Sequence, residues 1–305
     1  MQRSLPSERT GVAVRDVLPW ADLASLAATA EDTAYEALLV PEIAGREAFS
    51  TLAALAGETS RLGLGTGVVT VTARGPLTTA MAGATVQERS GGRFVLGLGS
   101  GPPGPGSLDR VRRYVADLRE AFAGRPVTAE GRSSALSLDP GAPIPIWLGA
   151  LGARMVELAG EVADGVLLNW CTPERVAQAR AEAEAGAARA GRDPSAFTVA
   201  VYVRACVGLE EDVATAALRE AAGTYAAMPH YRRRFEAMGL GGEPSEALVR
   251  AVCLLGDLPA ARRRLGEYRE AGADLPVVYP VAALDPVASL TGTVLALAPS
   301  PALER

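Results

Sequence analysis

Short apolar runs alternate along this chain with longer segments in which apolar residues recur at helical spacing. Apolar runs bounded by turn-forming residues are typical of strands buried on both faces of a parallel sheet. The sequence predicts eight such strands, at Gly11–Val14, Ala37–Val40, Leu62–Val69, Phe94–Leu98, Ile144–Leu148, Gly165–Leu168, Thr198–Val207 and Val277–Val281.

Helical patterns fill the intervals between these strands. One helix start carries a full set of signals, because Thr172, Pro173 and Glu174 supply an N-cap, a first-turn proline and an acid against the helix dipole. The most regular helical patterns are Phe49–Leu55, Val156–Ala163 and Val176–Ala190.

Eight strand-and-helix steps in 305 residues predict an α/β fold of the (β/α)8 TIM-barrel class. A short internal sequence repeat supports the barrel, since the sequence of Leu62–Gly67 is LGLGTG and that of Leu96–Gly101 is LGLGSG. Two segments are additional to the eight strand-and-helix units of a minimal barrel. They are the Pro/Gly loop 101–107 and the helical stretch 221–242. We interpret both as insertions at the rim of a single domain that covers 1–305.

Net charge and the absence of lysine exclude some classes of function. The formal charge of −5 argues against a general nucleic-acid binder, which is expected to be basic. All 30 basic residues are arginine, so the chain has no lysine for Schiff-base or general-base catalysis. The absence of lysine is also what a GC-rich genome produces.

The cysteines and the N-terminus indicate the cellular setting. Cys171, Cys206 and Cys253 are widely spaced and odd in number, which argues against a disulfide framework or a zinc site. The first residues contain no apolar signal-peptide core, and no run reaches the roughly 20 apolar residues of a membrane helix. We expect a soluble cytoplasmic protein with no membrane partner.

The fourth predicted strand ends in a series of glycines, within GGRFVLGLGSG at 91–101. Gly99, Gly101 and Gly104 spell GxGxxG, but prolines at 102 and 103 remove N–H donors that a dinucleotide-binding loop needs. Gly97 is best explained by packing inside a narrow barrel. Gly99–Gly101 fits either packing or the close approach of a ligand, since barrel active sites lie at the carboxyl ends of strands.

Four stretches together resemble the bacterial luciferase-like family, and more closely its deazaflavin-dependent branch. The resemblance is carried most strongly by the last stretch, with its PIWLGALG, a helix and then ADGV. The stretches are ALLVPEIAGREAF (37–49), LGLGTGVVTVTARGP (62–76), SGGRFVLGLGSG (90–101) and PIPIWLGALGARMVELAGEVADGVLLN (143–169).

The resemblance implies a luciferase-like TIM barrel that binds coenzyme F420, or alternatively FMN, at the carboxyl ends of its strands. In the deazaflavin branch a non-proline cis peptide after strand three supports the coenzyme ring, and the matching bond is Gly67–Val68. The resemblance places Ser100 and Gly101 against the coenzyme's side chain. Without the resemblance, an ordinary β-bulge at the end of the strand would equally explain the glycine at position 67.

The resemblance also implies a phosphate site after strand five, where a helix N-terminus offers free N–H groups. Arg154 would help to neutralise the phosphate. Tight strand-to-helix turning is the alternative explanation for the glycines of this loop. The loop consists of Gly149, Ala150, Leu151 and Gly152, and further coenzyme contacts are implied for Leu168 and Asn169.

Strand two ends in Val40-Pro41-Glu42-Ile43, where the family often has an acid followed by histidine. Glu42 matches the acid and is the candidate catalytic residue, as a proton donor or polariser, with a plain rim carboxylate as the alternative. Ile43 replaces the histidine. The loop after strand four is also shorter than in many relatives and lacks their histidine segment.

The single histidine, His230, lies in the 221–242 insertion. We interpret it as a surface or lid residue beside an arginine run, with proton shuttling as the alternative. Trp147 and Trp170 are expected to pack at strand ends, and Trp170 could border the coenzyme pocket.

These observations favour an oxidoreductase that transfers a hydride between F420 and a small organic substrate. One alternative is an FMN-dependent monooxygenase, which the same fold and phosphate site would serve. Another is a non-catalytic barrel subunit, suggested by the short loop and the missing histidine. A homodimer is expected in each case, and no metal site is predicted.

Overall fold

Twelve strands occur in the part of the chain that the computed structural model describes, residues 9–15, 18–102, 104–129 and 131–299. They are β1 (Gly11–Ala13), β2 (Ala37–Val40), β3 (Gly63–Thr66), β4 (Val69–Thr70), β5 (Phe94–Gly99), β6 (Val127–Ala129), β7 (Arg132–Ser134), β8 (Ile146–Ala150), β9 (Gly165–Asn169), β10 (Thr198–Ala205), β11 (Cys253–Leu254) and β12 (Leu275–Pro280).

The main sheet runs in the order β1-β2-β3-β5-β8-β9-β10-β12, and β12 pairs back with β1 in parallel. This cyclic order confirms the predicted (β/α)8 barrel. The short strand β4 also pairs with β5, and β11 pairs with β10. Register is set by parallel pairs such as Leu98 with Leu148 and Val203 with Val278.

Eleven helices alternate with the strands of the described residues. They are α1 (Trp20–Asp32), α2 (Ala48–Glu58), α3 (Pro76–Arg89), α4 (Ser107–Phe122), α5 (Ala153–Val162), α6 (Pro173–Arg189), α7 (Glu211–Ala226), α8 (Pro229–Ala237), α9 (Glu246–Val252), α10 (Leu258–Glu270) and α11 (Pro286–Ala296). A short 3₁₀ turn covers Pro194–Ala196.

The strand predictions differ from the structure mainly at their ends. The predicted strand Leu62–Val69 is interrupted after Thr66 and resumes as β4. The predicted strand Ile144–Leu148 instead begins at Ile146 and continues to Ala150. Proline at 145 explains the later start, since it has no N–H for the sheet. The hairpin of β6 and β7 and the short β11 were not predicted.

The chain forms two compact units, each assembled from separate segments. The first comprises Met1–Leu38, Leu168–Ala181 and Thr198–Arg305, and the second comprises Leu39–Leu167 and Glu182–Phe197. Each unit has its own buried apolar side chains.

In the second unit, two glycines let α5 and the end of α6 approach closely. A Cβ added to Gly160 would collide with the Ala183 carbonyl, and one added to Gly186 would collide with the Glu157 carbonyl. Because both obstacles are backbone atoms, a side chain at either position would force the two helices apart.

In the first unit, the three cysteines are free and buried. Burial raises the pKa of the Cys171 and Cys253 thiols to about 12, and it also raises the pKa of Cys206. The Cys171 carbonyl accepts a hydrogen bond from the hydroxyl of Tyr268 at 2.8 Å. All three side chains are therefore protonated packing residues at neutral pH.

The described helices include none that is long and apolar enough to cross a membrane.

Candidate functional site

A bulge joins β3 to β4 and is fixed to the end of β2. The peptide bond between Gly67 and Val68 is cis, as the resemblance implies. The Gly67 N–H donates to the Val40 carbonyl at 2.9 Å, and the Glu42 N–H reaches the Val68 carbonyl at 3.4 Å. These main-chain bonds hold the bulge against the neighbouring strand end.

The glycines of β5 and β8 make room for this bulge. A Cβ on Gly97 would collide with the Thr66 carbonyl, and one on Gly99 would lie 2.8 Å from Cγ2 of Val68. A Cβ on Gly149 would lie 3.2 Å from Cγ1 of the same valine. Packing by the chain's own atoms therefore explains why Gly97 and Gly99 lack side chains. Ligand contact with the main chain of this region stays a prediction.

The loop after β5 carries the predicted contacts Ser100 and Gly101. Gly101 has a φ of 71°, which favours glycine, and a Cβ there would collide with Thr72. The Ser100 hydroxyl donates to the Gly101 carbonyl at 3.2 Å, and Nη2 of Arg110 donates to the Ser100 carbonyl at 3.2 Å. An arginine from the first turns of α4 thus lies directly against this loop.

Arg110 is a candidate site residue that the sequence analysis missed. Its Nε is buried and has no hydrogen-bond partner within the described ranges. A buried donor without a partner is unusual and calls for an explanation, of which an absent ligand is one. The available signal was an arginine placed shortly after a Gly-rich strand end.

The predicted phosphate loop opens α5. Its N-cap residue Gly152 has extended backbone angles and provides no side-chain hydrogen bond to the helix. The first N–H groups of α5 are therefore left uncapped by any side chain, and the helix dipole favours an anion there. Arg154 is exposed and forms no ion pair among the described residues. The predicted loop residues Gly149, Ala150 and Leu151 lead directly into this helix start.

Glu42 is the centre of a compact charge cluster. Nη1 and Nη2 of Arg74 donate to the two Glu42 carboxylate oxygens at 2.6 and 2.8 Å. The same Nη2 also donates to Glu47 at 2.6 Å, and the Ala48 N–H donates to Glu42 at 3.0 Å. A bidentate pair of this kind fixes the carboxylate in position.

This cluster determines the charge of Glu42. Burial by itself would raise the pKa of Glu42, but the hydrogen bonds from Arg74 and Ala48 outweigh it and hold the pKa below the usual value. Glu42 is therefore ionised at neutral pH, which disfavours a proton donor and suits a fixed negative charge. Ile43, at the position of the family's histidine, is 59% exposed.

The remaining predicted contacts lie in the first unit at the end of β9. Leu168 is buried, and the Asn169 side chain is occupied by the chain itself. Its Oδ1 accepts from Nη1 of Arg204 at 2.5 Å, and its Nδ2 donates to the Tyr231 hydroxyl at 2.8 Å. Nη2 of Arg204 donates to the Tyr225 hydroxyl at 3.0 Å. The sequence analysis identified neither the two partners of Asn169, Arg204 and Tyr231, nor Tyr225, which is a partner of Arg204.

The two tryptophans that the sequence analysis singled out are buried, and the single histidine is partly exposed. Both tryptophans are buried, Trp147 near the beginning of β8 and Trp170 directly after the end of β9, so only Trp170 follows a strand's carboxyl end. His230 lies in the first turn of α8, with its ring centre 4.8 Å from that of Tyr231. Burial, with the nearby Arg233 charge, lowers its pKa, so the imidazole is neutral at pH 7.

The sequence is similar to that of an archaeal reductase over part of its length. The chain is 38% identical over 184 residues to the 5,10-methylenetetrahydromethanopterin reductase of Methanolobus tindarius. The aligned segment covers 56% of this chain and 56% of that reductase, so the similarity extends over little more than half of each.

Two solved structures share the fold over nearly the full chain. The coenzyme F420 dependent tetrahydromethanopterin reductase from Methanopyrus kandleri superposes with a TM-score of 0.78 at 22% identity, covering 96% of this chain and 98% of that one. The oxygenating constituent of 3,6-diketocamphane monooxygenase from Pseudomonas putida, in complex with FMN, gives 0.75 at 16% identity, with 98% and 99% covered.

A family model described as luciferase-like monooxygenase matches residues 4–275. This match covers most of the chain and agrees with the barrel topology and the cis bond at Gly67–Val68. The chain therefore belongs to the luciferase-like monooxygenase family.

Proposed function

We propose that this protein is an F420-dependent oxidoreductase that transfers a hydride between the coenzyme and a small organic substrate. The observation that carries the proposal is the buried, unpartnered Nε of Arg110, on a side chain that contacts the main chain of Ser100. A phosphorylated coenzyme tail beside this loop would give that donor an acceptor.

The residues of the second unit fit such a coenzyme. Ser100 and Gly101 would hold its tail through main-chain and hydroxyl groups. A phosphate would be held by the uncapped start of α5, Gly149 to Gly152, with Arg110 and Arg154 as the available cations. The bulge at Gly67 and Val68 would support the ring. Leu168 and Asn169 stay predicted contacts, although the amide of Asn169 is already hydrogen-bonded.

When bound, F420 supplies the carbon that accepts or donates the hydride. The chain's part is to orient the coenzyme and to exclude water around it. Glu42, held ionised by Arg74, places a fixed negative charge next to the bulge. Such a charge stabilises positive charge that develops beside it, so we assign Glu42 the role of polariser.

An FMN-dependent monooxygenase is the second candidate function. It is favoured by the family to which the chain belongs and by the likeness of its fold to the FMN-bound diketocamphane enzyme. The same uncapped helix start would hold the phosphate of FMN. The two candidates differ in the coenzyme that binds and in whether oxygen is consumed.

Titration with each coenzyme tests the proposal. Purified protein is titrated with F420 while its fluorescence is followed, and separately with FMN under reducing conditions while oxygen uptake is recorded on re-aeration. We expect saturable quenching of F420 fluorescence and weak or no binding of FMN. Tight binding of reduced FMN with oxygen uptake would replace the proposal by the monooxygenase. Binding of neither would favour a non-catalytic subunit.

We further propose a homodimer that works in the cytoplasm. The family resemblance motivates the dimer, and three buried, free cysteines suit a reducing compartment. Size-exclusion chromatography with light scattering tests the assembly, with a mass near 63 kDa expected for two chains of 31.5 kDa.

A further inference from the structure

The strongest unassigned feature is a buried arginine in the first unit. Arg204 lies near the end of β10 and is only 4% exposed. Burying a guanidinium is costly unless a carboxylate or several hydrogen bonds compensate it. Within the described ranges, no carboxylate contacts Arg204, and its hydrogen-bond partners are the neutral Asn169 and Tyr225. These two bonds use two of the five N–H donors of a guanidinium.

Aromatic rings surround the guanidinium but bring no negative charge. Its central carbon lies 4.8 Å from the ring centre of Trp170, 5.5 Å from Tyr202, 5.3 Å from Tyr225 and 4.0 Å from Tyr279. Ring faces attract a cation, which offsets part of the cost of burial. Burial raises the pKa of Tyr279 to about 12, so this phenol stays neutral. The described surroundings therefore provide the charge of Arg204 with aromatic rings and neutral hydrogen-bond acceptors but with no counter-charge.

A second observation comes from Trp170, which packs against the same guanidinium. The residue is 2% exposed, and its indole N–H is buried without a hydrogen-bond partner in the described chain. Its φ of 52° lies in the left-handed region, which a bulky side chain rarely adopts. Such residues concentrate at functional sites. A buried cation and a buried free donor therefore lie side by side, and both require an acceptor.

We propose that this group, the Arg204 cluster (Asn169, Trp170, Arg204, Tyr225 and Tyr231), binds a carboxylate group of the organic substrate. The inference deepens the proposed function and rests on it. A carboxylate would accept from the free N–H donors of Arg204 and from the indole N–H of Trp170. Its single negative charge would balance the single buried positive charge.

The charge of the cluster favours a carboxylate over a phosphate. A phosphate carries about −1.5 to −2 charges at neutral pH, more than the single cation of the cluster balances. The starts of α6 and α7 carry acids that disfavour an anion, Glu174 in α6 and Glu211 with Asp212 in α7, whereas the first turn of α8, which carries Tyr231, has no acid. A planar guanidinium also matches the geometry of a planar carboxylate.

Two side chains of the cluster come from the helices after β10. Tyr225 belongs to α7 and Tyr231 to α8, and both are only partly buried. The alternative explanation is purely structural, with Arg204 anchoring these two helices to the strand ends. An anchor needs no ligand, so the two explanations predict different responses to a carboxylate.

The first test compares benzoate with benzamide, a neutral probe of nearly the same shape, on the wild-type protein. Isothermal titration calorimetry and thermal melting are run at constant ionic strength, with chloride replacing benzoate in the control. We expect saturable benzoate binding that is at least about tenfold tighter than benzamide binding, because the charged pair is lost with the amide. Equal binding of the two probes, or binding of neither, overturns the proposal.

Variants then locate the site. Arg204→Gln should abolish the preference for benzoate, and Trp170→Phe should weaken benzoate binding severalfold while keeping the charge. Arg233→Gln, which removes an exposed arginine from α8, is the matched control and should bind as wild type. If Arg204→Gln fails to fold, the Trp170→Phe variant and the comparison of benzoate with benzamide on wild type still test the carboxylate site. An unchanged benzoate preference in Trp170→Phe contradicts the proposal.

The F420 titration keeps the two proposals separate. Selective benzoate binding without F420 binding would leave the carboxylate site standing and reject the proposed function. F420 binding with no preference between benzoate and benzamide would support the proposed function and reject the carboxylate site.

Discussion

At the scale of single residues, the most informative side chains are arginines whose donors are not fully used. Arg110 has a buried Nε without a partner, and Arg204 has a buried charge without a carboxylate. By contrast, both Nη atoms of Arg74 are hydrogen-bonded to the carboxylates of Glu42 and Glu47. Arginine supplies all the cationic side chains of this chain apart from histidine. Whether an arginine's donors and charge already have partners therefore distinguishes those available for a ligand from those that stabilise the fold.

Arg110 gives the first residue-level prediction. Replacing Arg110 by Gln removes the charge and the buried donor beside Ser100, so F420 affinity should fall about tenfold, as expected for loss of a charged hydrogen bond. Arg113→Gln, on the exposed side of the same helix, is the control and should leave the affinity unchanged. Fluorescence titration measures both. Equal affinities for wild type and Arg110→Gln would remove Arg110 from the site.

Glu42 gives a prediction about pH. Its pKa is lowered in the folded state, so the Glu42–Arg74 pair stabilises the protein above the unfolded value near 4.5 and loses that effect as pH falls through the folded value. Glu42→Gln should cost about 1–3 kcal/mol at pH 7. The difference from wild type should shrink once pH drops below 4.5.

Urea denaturation at pH 7 and pH 3.5 measures this difference. Glu120→Gln serves as the control, because Glu120 pairs with Arg125 on the exposed surface. A destabilisation by Glu42→Gln that is the same at both pH values would show that the carboxylate's charge is not what matters.

At the scale of elements, the close approach of α5 to the end of α6 is directly testable. Gly160→Ala and Gly186→Ala should each cost about 1–3 kcal/mol, because the added methyl group meets a backbone carbonyl. Gly266→Ala, in α10 with open space at its Cβ, should instead stabilise by about 0.5–1 kcal/mol through helix propensity. Urea unfolding curves distinguish the two signs, and a stabilising Gly160→Ala would contradict the packing.

The strands were predictable from sequence because each is a compact apolar run, and all eight main strands lie where the pattern placed them. The ends were less predictable, since they depend on local events such as the cis bond after Gly67 and proline at 145. The Arg204 cluster could not be predicted from local pattern. One of its hydrogen bonds joins the ends of β9 and β10, 35 positions apart, and another joins β10 to Tyr225 of α7, 21 positions away. Tyr225 lies in the stretch that the sequence analysis interpreted only as an insertion.

At the scale of the whole molecule, the family and the fold follow from topology and pattern, whereas the activity depends on a few side chains. The coenzyme contacts proposed through Arg110 lie in the second unit, and the carboxylate contacts proposed through Arg204 lie in the first. Loss of the carboxylate site would therefore leave the F420 proposal standing, whereas loss of the F420 proposal would leave an anion site without its assigned role as a substrate site.

The cysteines provide a prediction for the intact chain. Because all three are buried with raised pKa values, native protein should react slowly with Ellman's reagent at pH 8. In guanidinium chloride, three thiols per chain should react at once. Fast reaction of a thiol in the native protein would show that a region around it opens readily.

The buried thiols also make this protein easy to label at one chosen point. With no lysine in the chain and all three thiols buried, neither maleimide nor amine-directed dyes have a side-chain target in the native state. The N-terminal amine is the remaining target for amine-directed dyes. A single Arg233→Cys substitution on α8 would then carry one fluorophore, and its emission would report on the movement of that helix as probes are added.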